Sequence, residues 1–361
     1  MGMILQKLVN GLLITIAALW LAALALYAFT DIDVLSFRRW EDVKLTGKPH
    51  RDRIPPSLAA MELENSHDPA TDTSQYNTLL LHLVHQKPSA KWPVRTAYPL
   101  PGALLPYHRV VAFYGNLYSA QMGILGALPV DSMLKQLDEE VHKWKMADTC
   151  IPVMPALHYI VVTAQGNPGK DGKYRQRMPE SEINKVLLLA AKAHAIVFLD
   201  VQVGLSTLTD ELPLLEKYLA RPDVHLGIDP EYSMKNQRPP CSSIGTFDAA
   251  DINYAISWLT ALVQQHHLPP KILVVHRFTQ GMVTNYKNIH LTPEVQVVMN
   301  MDGFGDVARK KDSYQCWISG EPVQFTGFKL FYKNDIATGR HLMQPAEVLA
   351  LYPQPVYIQY Q

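Results

Sequence analysis

Short apolar runs rich in β-branched and aromatic residues alternate with amphipathic stretches from Arg109 to the end of the chain. Near-continuous apolar runs of this length are typical of parallel strands that are buried on both faces. Eight strands are predicted in this way: Arg109–Tyr114, Pro152–Ile160, Ala195–Val201, Val224–Asp229, Lys271–His276, Val295–Met301, Gly327–Tyr332 and Val356–Tyr360.

The stretches between these runs place apolar residues at helical spacing. Predicted helices are Asp131–Lys145, Pro179–His194, Thr209–Leu219, Ala249–His266 and Pro345–Leu351. Asp131 and Ser132 are candidate N-caps for the first helix. Eight strand–helix units over about 250 residues favour an α/β fold, a (β/α)8 TIM barrel. An open, doubly wound sheet is the alternative, although no GxGxxG or P-loop motif follows a strand.

An uncharged apolar run, Gly11–Phe29, precedes the predicted barrel. A helix of about 20 apolar residues spans a bilayer, so this run predicts one N-terminal transmembrane helix. The distribution of basic residues places the N-terminus in the cytoplasm and the barrel on the periplasmic or extracellular side. A cleaved signal peptide, ending near Ala23-Leu24-Ala25, is the alternative.

The predicted organisation has three parts: residues 1–30 as a membrane anchor or signal segment, 31–107 as an extended stalk that wraps the barrel, and 108–361 as the barrel. Within the stalk, Tyr76–His85 is a short apolar piece, either a strand or a helix that packs on the barrel. The proline-rich segment Pro88–Pro106 is predicted to be extended.

Composition narrows the range of partners and cofactors. The 33 basic and 33 acidic residues give zero formal net charge, which is not typical of a protein that binds nucleic acid. Cys150, Cys241 and Cys316 have no metal-ligand spacing. Cys241 and Cys316 both follow predicted strands and are the expected pair if a disulfide forms, and three separate thiols are the alternative. We predict no metal and no cofactor.

Polar residues stand where the predicted strands end, which is where (β/α)8 barrels carry their active sites. Glu231 follows Asp229 by two residues, and residues i and i+2 of a strand share a face. A neighbouring carboxylate raises a carboxyl pKa and prepares a proton donor. The candidate catalytic residues are Glu231, Asp229, Asp302 and Asp200. The candidate substrate-binding residues are Tyr114, His158, Gln202, His276, Lys329, Tyr332 and Gln359.

These candidates also have structural interpretations. Asp200 can cap the loop after its strand, and Asp229 can fix a turn before Pro230. Asp302 begins an Asp-Gly pair, which is common in turns. His276 can be a core histidine with satisfied hydrogen bonds.

The motif LGIDPEY at Leu226–Tyr232 resembles the fourth-strand motif of chitinase-type glycoside hydrolases, whose glutamate acts as general acid. Val298–Gly303 is similar in placement to the sixth-strand motif of that family. The two earlier aspartates of the family motif are Val224 and Gly227 here, and the sixth-strand tyrosine is Met301. The resemblance implies an acid role for Glu231 and leaves the substrate-assisted mechanism of that family unsupported.

A second resemblance covers about Val110 to Gln361. It is to an uncharacterised family of secreted or membrane-anchored bacterial TIM-barrel proteins without an assigned reaction, and it implies fold and location only. The matching segments are Tyr114-Gly115, Met122–Gly126, Leu199–Gln202, Asp229–Glu231, Val274–His276, Asp302–Gly305, Gly327–Tyr332 and Pro345–Leu349.

Three functions follow from these features. The first is a glycoside-hydrolase-like enzyme that acts on an envelope or extracellular polysaccharide, with Glu231 as general acid and Asp302 or Asp200 as partner carboxylate. The second is a non-catalytic envelope barrel that binds a glycan or a protein, with its carboxylates held in ion pairs by Lys329, Lys333 or Arg277. The third is metal-assisted hydrolysis by Asp200, His276 and Asp302.

Overall fold

Eight parallel strands close into a barrel in the computed structural model, which describes residues 72–361. The strands are β1 (Arg109–Gly115), β2 (Val153–Ala164), β3 (Ile196–Val201), β4 (Val224–Ile228), β5 (Lys271–Arg277), β6 (Val295–Met301), β7 (Phe325–Leu330) and β8 (Tyr357–Tyr360). Each strand pairs with the next along the chain, and β1 pairs with both β2 and β8. This closure supports the predicted TIM barrel and excludes the open sheet.

The helices surround the barrel. They are α1 (Thr73–Leu83), α2 (Ile124–Ala127), α3 (Val130–Ala147), α4 (Glu180–Lys192), α5 (Leu208–Glu211), α6 (Glu216–Leu219), α7 (Ala249–His266), α8 (Val307–Ser313), α9 (Asn334–Thr338) and α10 (Pro345–Leu349). On α3, Met133, Leu137 and Val141 recur every four residues and are buried against the strands. This helix begins after Pro129 without a side-chain cap, so Asp131 and Ser132 lie inside its first turn and are not its N-caps.

The predicted helix Thr209–Leu219 is instead broken into α5, a 3-10 turn at Leu212–Leu215, and α6. Pro213 lies inside that turn. Proline has no N–H to donate to the preceding turn, and its ring clashes with a helical carbonyl. A continuous helix is therefore unfavourable at this point.

Alternation along the strands produces two apolar cores. Outward residues such as Val111 and Phe113 pack against the helices. Inward residues such as Val110 and Ala112 fill the interior near the N-terminal ends of the strands. Since both faces of the sheet are buried, the strands need the near-continuous apolar pattern from which they were predicted.

Residues 72–107 cover the N-terminal end of the barrel. Tyr76, Leu79 and Leu83 of α1 belong to the interior core, together with Leu105. The Gln296 side chain accepts a hydrogen bond from the Leu105 N–H at 3.0 Å and donates one to its carbonyl at 2.5 Å. The described part of the predicted stalk therefore contributes to the barrel core.

The predicted location at a membrane is corrected. Within residues 72–361, no helix is both long and apolar enough to cross a bilayer. The run Gly11–Phe29, on which the prediction depended, lies outside the described residues, as does Ala23-Leu24-Ala25. Cys150, Cys241 and Cys316 are exposed free thiols, which agrees with three separate thiols and not with the conditional pairing of Cys241 with Cys316.

Candidate functional site

The inward-facing side chains change from apolar to polar along the barrel axis. Toward the C-terminal ends of the strands they form a set that we call the rim cluster: Tyr114, His158, Asp200, Asp229, Glu231, His276, Asp302 and Lys329. All of them are buried except Glu231, which is partly exposed. Parallel pairing aligns the strand ends, with Asp200 opposite Gly227 and His276 opposite Asn300. Residues from separate strands therefore meet at one end of the barrel.

Asp200 contacts residues of three other strands. Its Oδ2 accepts a hydrogen bond from the Tyr114 hydroxyl at 3.0 Å. Its Oδ1 lies 3.1 Å from His158 Nε2 and 3.3 Å from His276 Nε2. Gln202 supports this arrangement, because its Nε2 donates to the Tyr114 hydroxyl at 3.2 Å. Asp200 is fully buried, so these side chains form its immediate surroundings.

His276 links Asp200 to Asp302. Its Nδ1 lies 2.9 Å from Asp302 Oδ2. Asp302 Oδ1 lies 2.8 Å from Lys329 Nζ, which is also 3.8 Å from the centre of the Tyr114 ring. Opposite charges therefore alternate along the series Asp200, His276, Asp302 and Lys329. This alternation offsets part of the free-energy cost of burying the charges.

Asp229 and Glu231 are held by the turn that follows β4. Asp229 is the N-cap of the 3-10 turn Pro230–Tyr232, and its Oδ1 accepts a hydrogen bond from the Glu231 N–H at 3.0 Å. The Glu231 carbonyl in turn accepts from the Gly245 N–H at 2.6 Å. The Glu231 backbone is thus held at both its N–H and its carbonyl.

The surroundings shift the pKa values of Glu231 and Asp302 in opposite directions. Burial raises the pKa of Glu231 to about 7, and the negative charge of Asp302 adds to this effect. For Asp302, burial favours the neutral acid, but Lys329 and His276 outweigh it and lower its pKa. Burial, with Glu231 and Asp302, raises the pKa of Asp229 well above its ordinary value. Glu231 is thus a protonated or half-protonated group beside an ionised one.

The two histidines of the rim cluster also differ. Burial lowers the pKa of His158 to about 4, despite the Asp200 carboxylate beside it. For His276, burial lowers the pKa, but Asp200 and Asp302 together raise it to about 10. For Asp200, burial is outweighed by His276 and His158, which lower its pKa.

Tyr332 does not join the cluster, contrary to the sequence prediction. β7 begins at Phe325 and ends at Leu330, two residues earlier than predicted, so Tyr332 lies beyond the strand. Its ring stacks on Tyr360 at a centroid distance of 5.2 Å, and its hydroxyl donates to Glu140 Oε1 at 3.1 Å. Tyr332 therefore packs on the outer side of the barrel against α3.

Gln359 lies inside the barrel beside two residues that were not among the predicted site residues, Tyr357 and Asn300. The Tyr357 hydroxyl lies 2.5 Å from His158 Nδ1 and accepts a hydrogen bond from Gln359 Nε2 at 3.0 Å. Asn300 Nδ2 donates to Gln359 Oε1 at 3.4 Å. The i, i+2 spacing of Tyr357 and Gln359 within an otherwise apolar strand is the signal that identifies them as inward-facing.

Arg277 and the opposite end of the barrel are separate from this site. Arg277 is paired with Glu321 at 2.5 Å and donates to the Thr279 and Trp317 carbonyls, away from the carboxylates. A cavity of about 760 Å³ lies at the N-terminal end, where its lining includes Asp148 and Met154. That end of a barrel is ordinarily structural, so the polar interior at the C-terminal end remains the candidate site.

Comparison with known proteins adds little to this geometry. No family model matches the chain, and no curated protein matches it. Among solved structures, it is similar to the glycoside hydrolase GH26C from Muricauda sp. MAR_2010_75, with 8% sequence identity, a TM-score of 0.31, and coverage of 80% of this chain and 82% of that chain. A likeness of this size does not bear on function.

Proposed function

We propose that the chain is a glycoside-hydrolase-like enzyme that cleaves a polysaccharide or another glycan by carboxylate general acid–base chemistry. Glycosidases use one protonated carboxyl to donate a proton to the leaving oxygen and one ionised carboxylate as nucleophile or base. The observation that supports the proposal is the opposite protonation tendency of two carboxyls at the barrel mouth. The negative charge of Asp302 adds to the burial that raises the pKa of Glu231, whereas Asp302 itself lies 2.8 Å from the Lys329 ammonium group, which lowers its pKa.

Glu231 is the proposed general acid. It is the member of the rim cluster that is partly exposed, so it is accessible to a glycosidic oxygen at the barrel mouth. Glu231 lies on the connection between β4 and α7, where the Asp229 cap and the Gly245 N–H hold its backbone. A fixed backbone helps to hold a proton donor at the reacting atom.

Two aromatic side chains on the loops after β1 and β6 have the exposure expected of sugar-binding residues. Tyr118 is 59% exposed and Phe304 is 52% exposed. Each follows a strand whose C-terminal end leads to a rim-cluster residue, Tyr114 for Tyr118 and Asp302 for Phe304. Large apolar surfaces left open at the mouth of a site are typical of ligand contacts. We propose that these rings pack against sugar faces of the substrate.

The proposal is tested by incubating the full chain with a panel of glycans and measuring released reducing ends. Glu231→Gln removes the proton and keeps the shape, so we expect kcat/KM to fall about 10²–10⁴-fold. Glu139→Gln, on the exposed face of α3, is the matched control and should cleave like wild type. Hydrolysis by Glu231→Gln at the wild-type rate contradicts the acid role.

The ion pair between Lys329 and Asp302 favours one alternative, a barrel that binds a glycan without cutting it. In that case Asp302 is occupied by Lys329 and is not available to a substrate. The wild-type chain would then bind a glycan in a binding assay but release no reducing ends. Glu231→Gln would bind the same glycan with the affinity of the wild type. The same panel therefore separates the two functions.

A further inference from the structure

We propose that His158 Nε2, Asp200 Oδ1 and His276 Nε2 form a binding site inside the barrel for a divalent transition-metal ion such as Zn²⁺. The three ligand atoms lie within 4.8 Å of one another, and all three side chains are fully buried. This site lies among the same residues as the proposed glycosidase centre, but it does not depend on that function.

The spacing of the ligand atoms suits a metal. Asp200 Oδ1 is 3.1 Å from His158 Nε2 and 3.3 Å from His276 Nε2. Neighbouring ligand atoms on a zinc ion, with bonds of about 2.0–2.2 Å, lie roughly 3.0–3.5 Å apart. Both distances fall within this interval, and the two histidine nitrogens lie within 4.8 Å of each other, so the three atoms are close enough to share one ion.

The same three atoms lack hydrogen bonds. Among the described residues, His158 Nε2, Asp200 Oδ1 and His276 Nε2 contact one another at ion-pair distances of 3.1 Å and 3.3 Å but make no hydrogen bond of good geometry. A buried polar atom without a partner costs about 1–3 kcal/mol. The mutual ion pairs offset part of this cost, and a cation that accepts a lone pair from each of the three atoms would satisfy the rest.

Each ligand is oriented by a second contact on its other side. His158 Nδ1 lies 2.5 Å from the Tyr357 hydroxyl, and His276 Nδ1 lies 2.9 Å from Asp302 Oδ2. Asp200 Oδ2 accepts from the Tyr114 hydroxyl. Metal-binding histidines ordinarily donate their other ring N–H to a carboxylate or another oxygen, which fixes the ring and directs the second nitrogen to the metal. On His276 the ion would displace the proton that Asp200 and Asp302 hold on the ring of the metal-free protein.

Gly227 keeps one side of the ligand atoms clear. A Cβ at this position would lie 2.4 Å from both Asp200 Oδ1 and His158 Nε2. Any other residue would therefore cover the two atoms. Glycine here has a reason in the site, because β4 runs alongside β3 with Gly227 opposite Asp200.

The ligand types define the kind of ion. Two imidazoles and one carboxylate suit Zn²⁺ and related first-row metals better than Ca²⁺ or Mg²⁺, which prefer oxygen ligands. Three protein ligands leave a position for water or substrate, as in catalytic zinc sites. A second group, His82, Asp148 and Cys150, is less suited, because the Arg109 guanidinium already lies 2.6 Å from Asp148.

The test measures metal binding directly. The full chain is stripped with a chelator and titrated with Co²⁺, whose visible spectrum reports nitrogen and oxygen coordination, and bound Zn²⁺ is measured by mass spectrometry. We expect one ion per chain and a melting temperature that rises with Zn²⁺. The affinity for Co²⁺ and Zn²⁺ should fall at least tenfold in His276→Asn and in Asp200→Asn. His225→Asn is the matched control, since His225 is a buried histidine of β4 whose Nδ1 accepts from the Ile272 N–H.

The inference is overturned if the wild-type chain binds neither Zn²⁺ nor Co²⁺. It is also overturned if His276→Asn gives the same Co²⁺ spectrum as the wild type. If the variants do not fold, the wild-type stoichiometry and spectrum still decide it. The glycan assay is independent: metal binding without hydrolysis leaves this site in place and removes the proposed function, whereas hydrolysis by a chain that binds neither Zn²⁺ nor Co²⁺ does the reverse.

Discussion

Neighbouring charges give otherwise ordinary side chains of the rim cluster different protonation states. Glu231 and Asp302 are both carboxylic acids, but one lies beside a negative charge and the other beside the Lys329 ammonium group. Environments that push two carboxyls toward opposite protonation states are typical of an acid and its partner.

Glu231 predicts the pH dependence of activity. Its pKa is raised to about 7, and a general acid works only while it is protonated. We therefore expect kcat/KM on a glycan to be high at acidic pH and to fall as pH rises through about 7. The pH–rate profile of wild type measures this. In Glu231→Gln that basic limb should be absent, and a limb that persists there at the same pH assigns it to another group.

Gly227 predicts a stability effect. In Gly227→Ala, the new methyl group overlaps Asp200 Oδ1 and His158 Nε2, so strands β2 to β4 must shift. Overpacking of this kind costs about 1–3 kcal/mol of unfolding free energy. Urea unfolding measures it. Gly281→Ala is the control, because a Cβ there meets nothing within 4 Å, and equal losses in the two variants would contradict the steric reason.

At the scale of elements, the order and type of the strands could be predicted because each is buried on both faces and has an unbroken apolar run. The ends of the strands could not be placed as well. β7 begins two residues before the predicted Gly327, which moves Tyr332 out of the site. The apolar pattern continues through Phe331 and Tyr332, so it contains no signal for the end of the strand.

Local breaks in the helices were missed for a different reason. The turn at Leu212–Leu215 depends on Pro213 within an otherwise helical pattern. The segment after β6 forms α8 and then a π-helix at Tyr314–Ser319, neither of which was predicted. Tyr314 of that segment donates to Thr326 Oγ1 at 2.8 Å, a contact that only the folded barrel provides.

The helix α1 gives a prediction at this scale. Leu83 is 5% exposed in the interior core, whereas Leu81 on the same helix is 36% exposed. We expect Leu83→Ala to lower the free energy of unfolding by about 2–5 kcal/mol, because it leaves a cavity at the N-terminal end of the barrel. Leu81→Ala should cost less than about 1 kcal/mol in the same urea experiment. Similar losses would mean that α1 is not part of the core.

At the scale of the whole molecule, closure of the sheet produces the candidate site. Tyr114 and Asp200 are joined by a hydrogen bond across 86 positions of sequence, and His158 and Tyr357 across 199. The apolar runs of the sequence predicted that Asp200, His276 and Asp302 lie at or just after strand ends. Because parallel strands of a closed barrel all end on one side, these residues were also predicted to share one rim. The pairings within the rim, and the convergence of three ligand atoms, depend on strand register and rotamers that no local pattern records.

The central claim is that Glu231 donates a proton to a departing sugar oxygen at that rim. Its most direct test compares two substrates with the same sugar, one with a natural glycosidic bond and one with an activated dinitrophenyl leaving group that needs no proton. We expect Glu231→Gln to lower kcat/KM about 10²–10⁴-fold for the substrate with the natural bond and to change it little for the activated substrate. Equal losses on both substrates, or no loss on either, would contradict the claim.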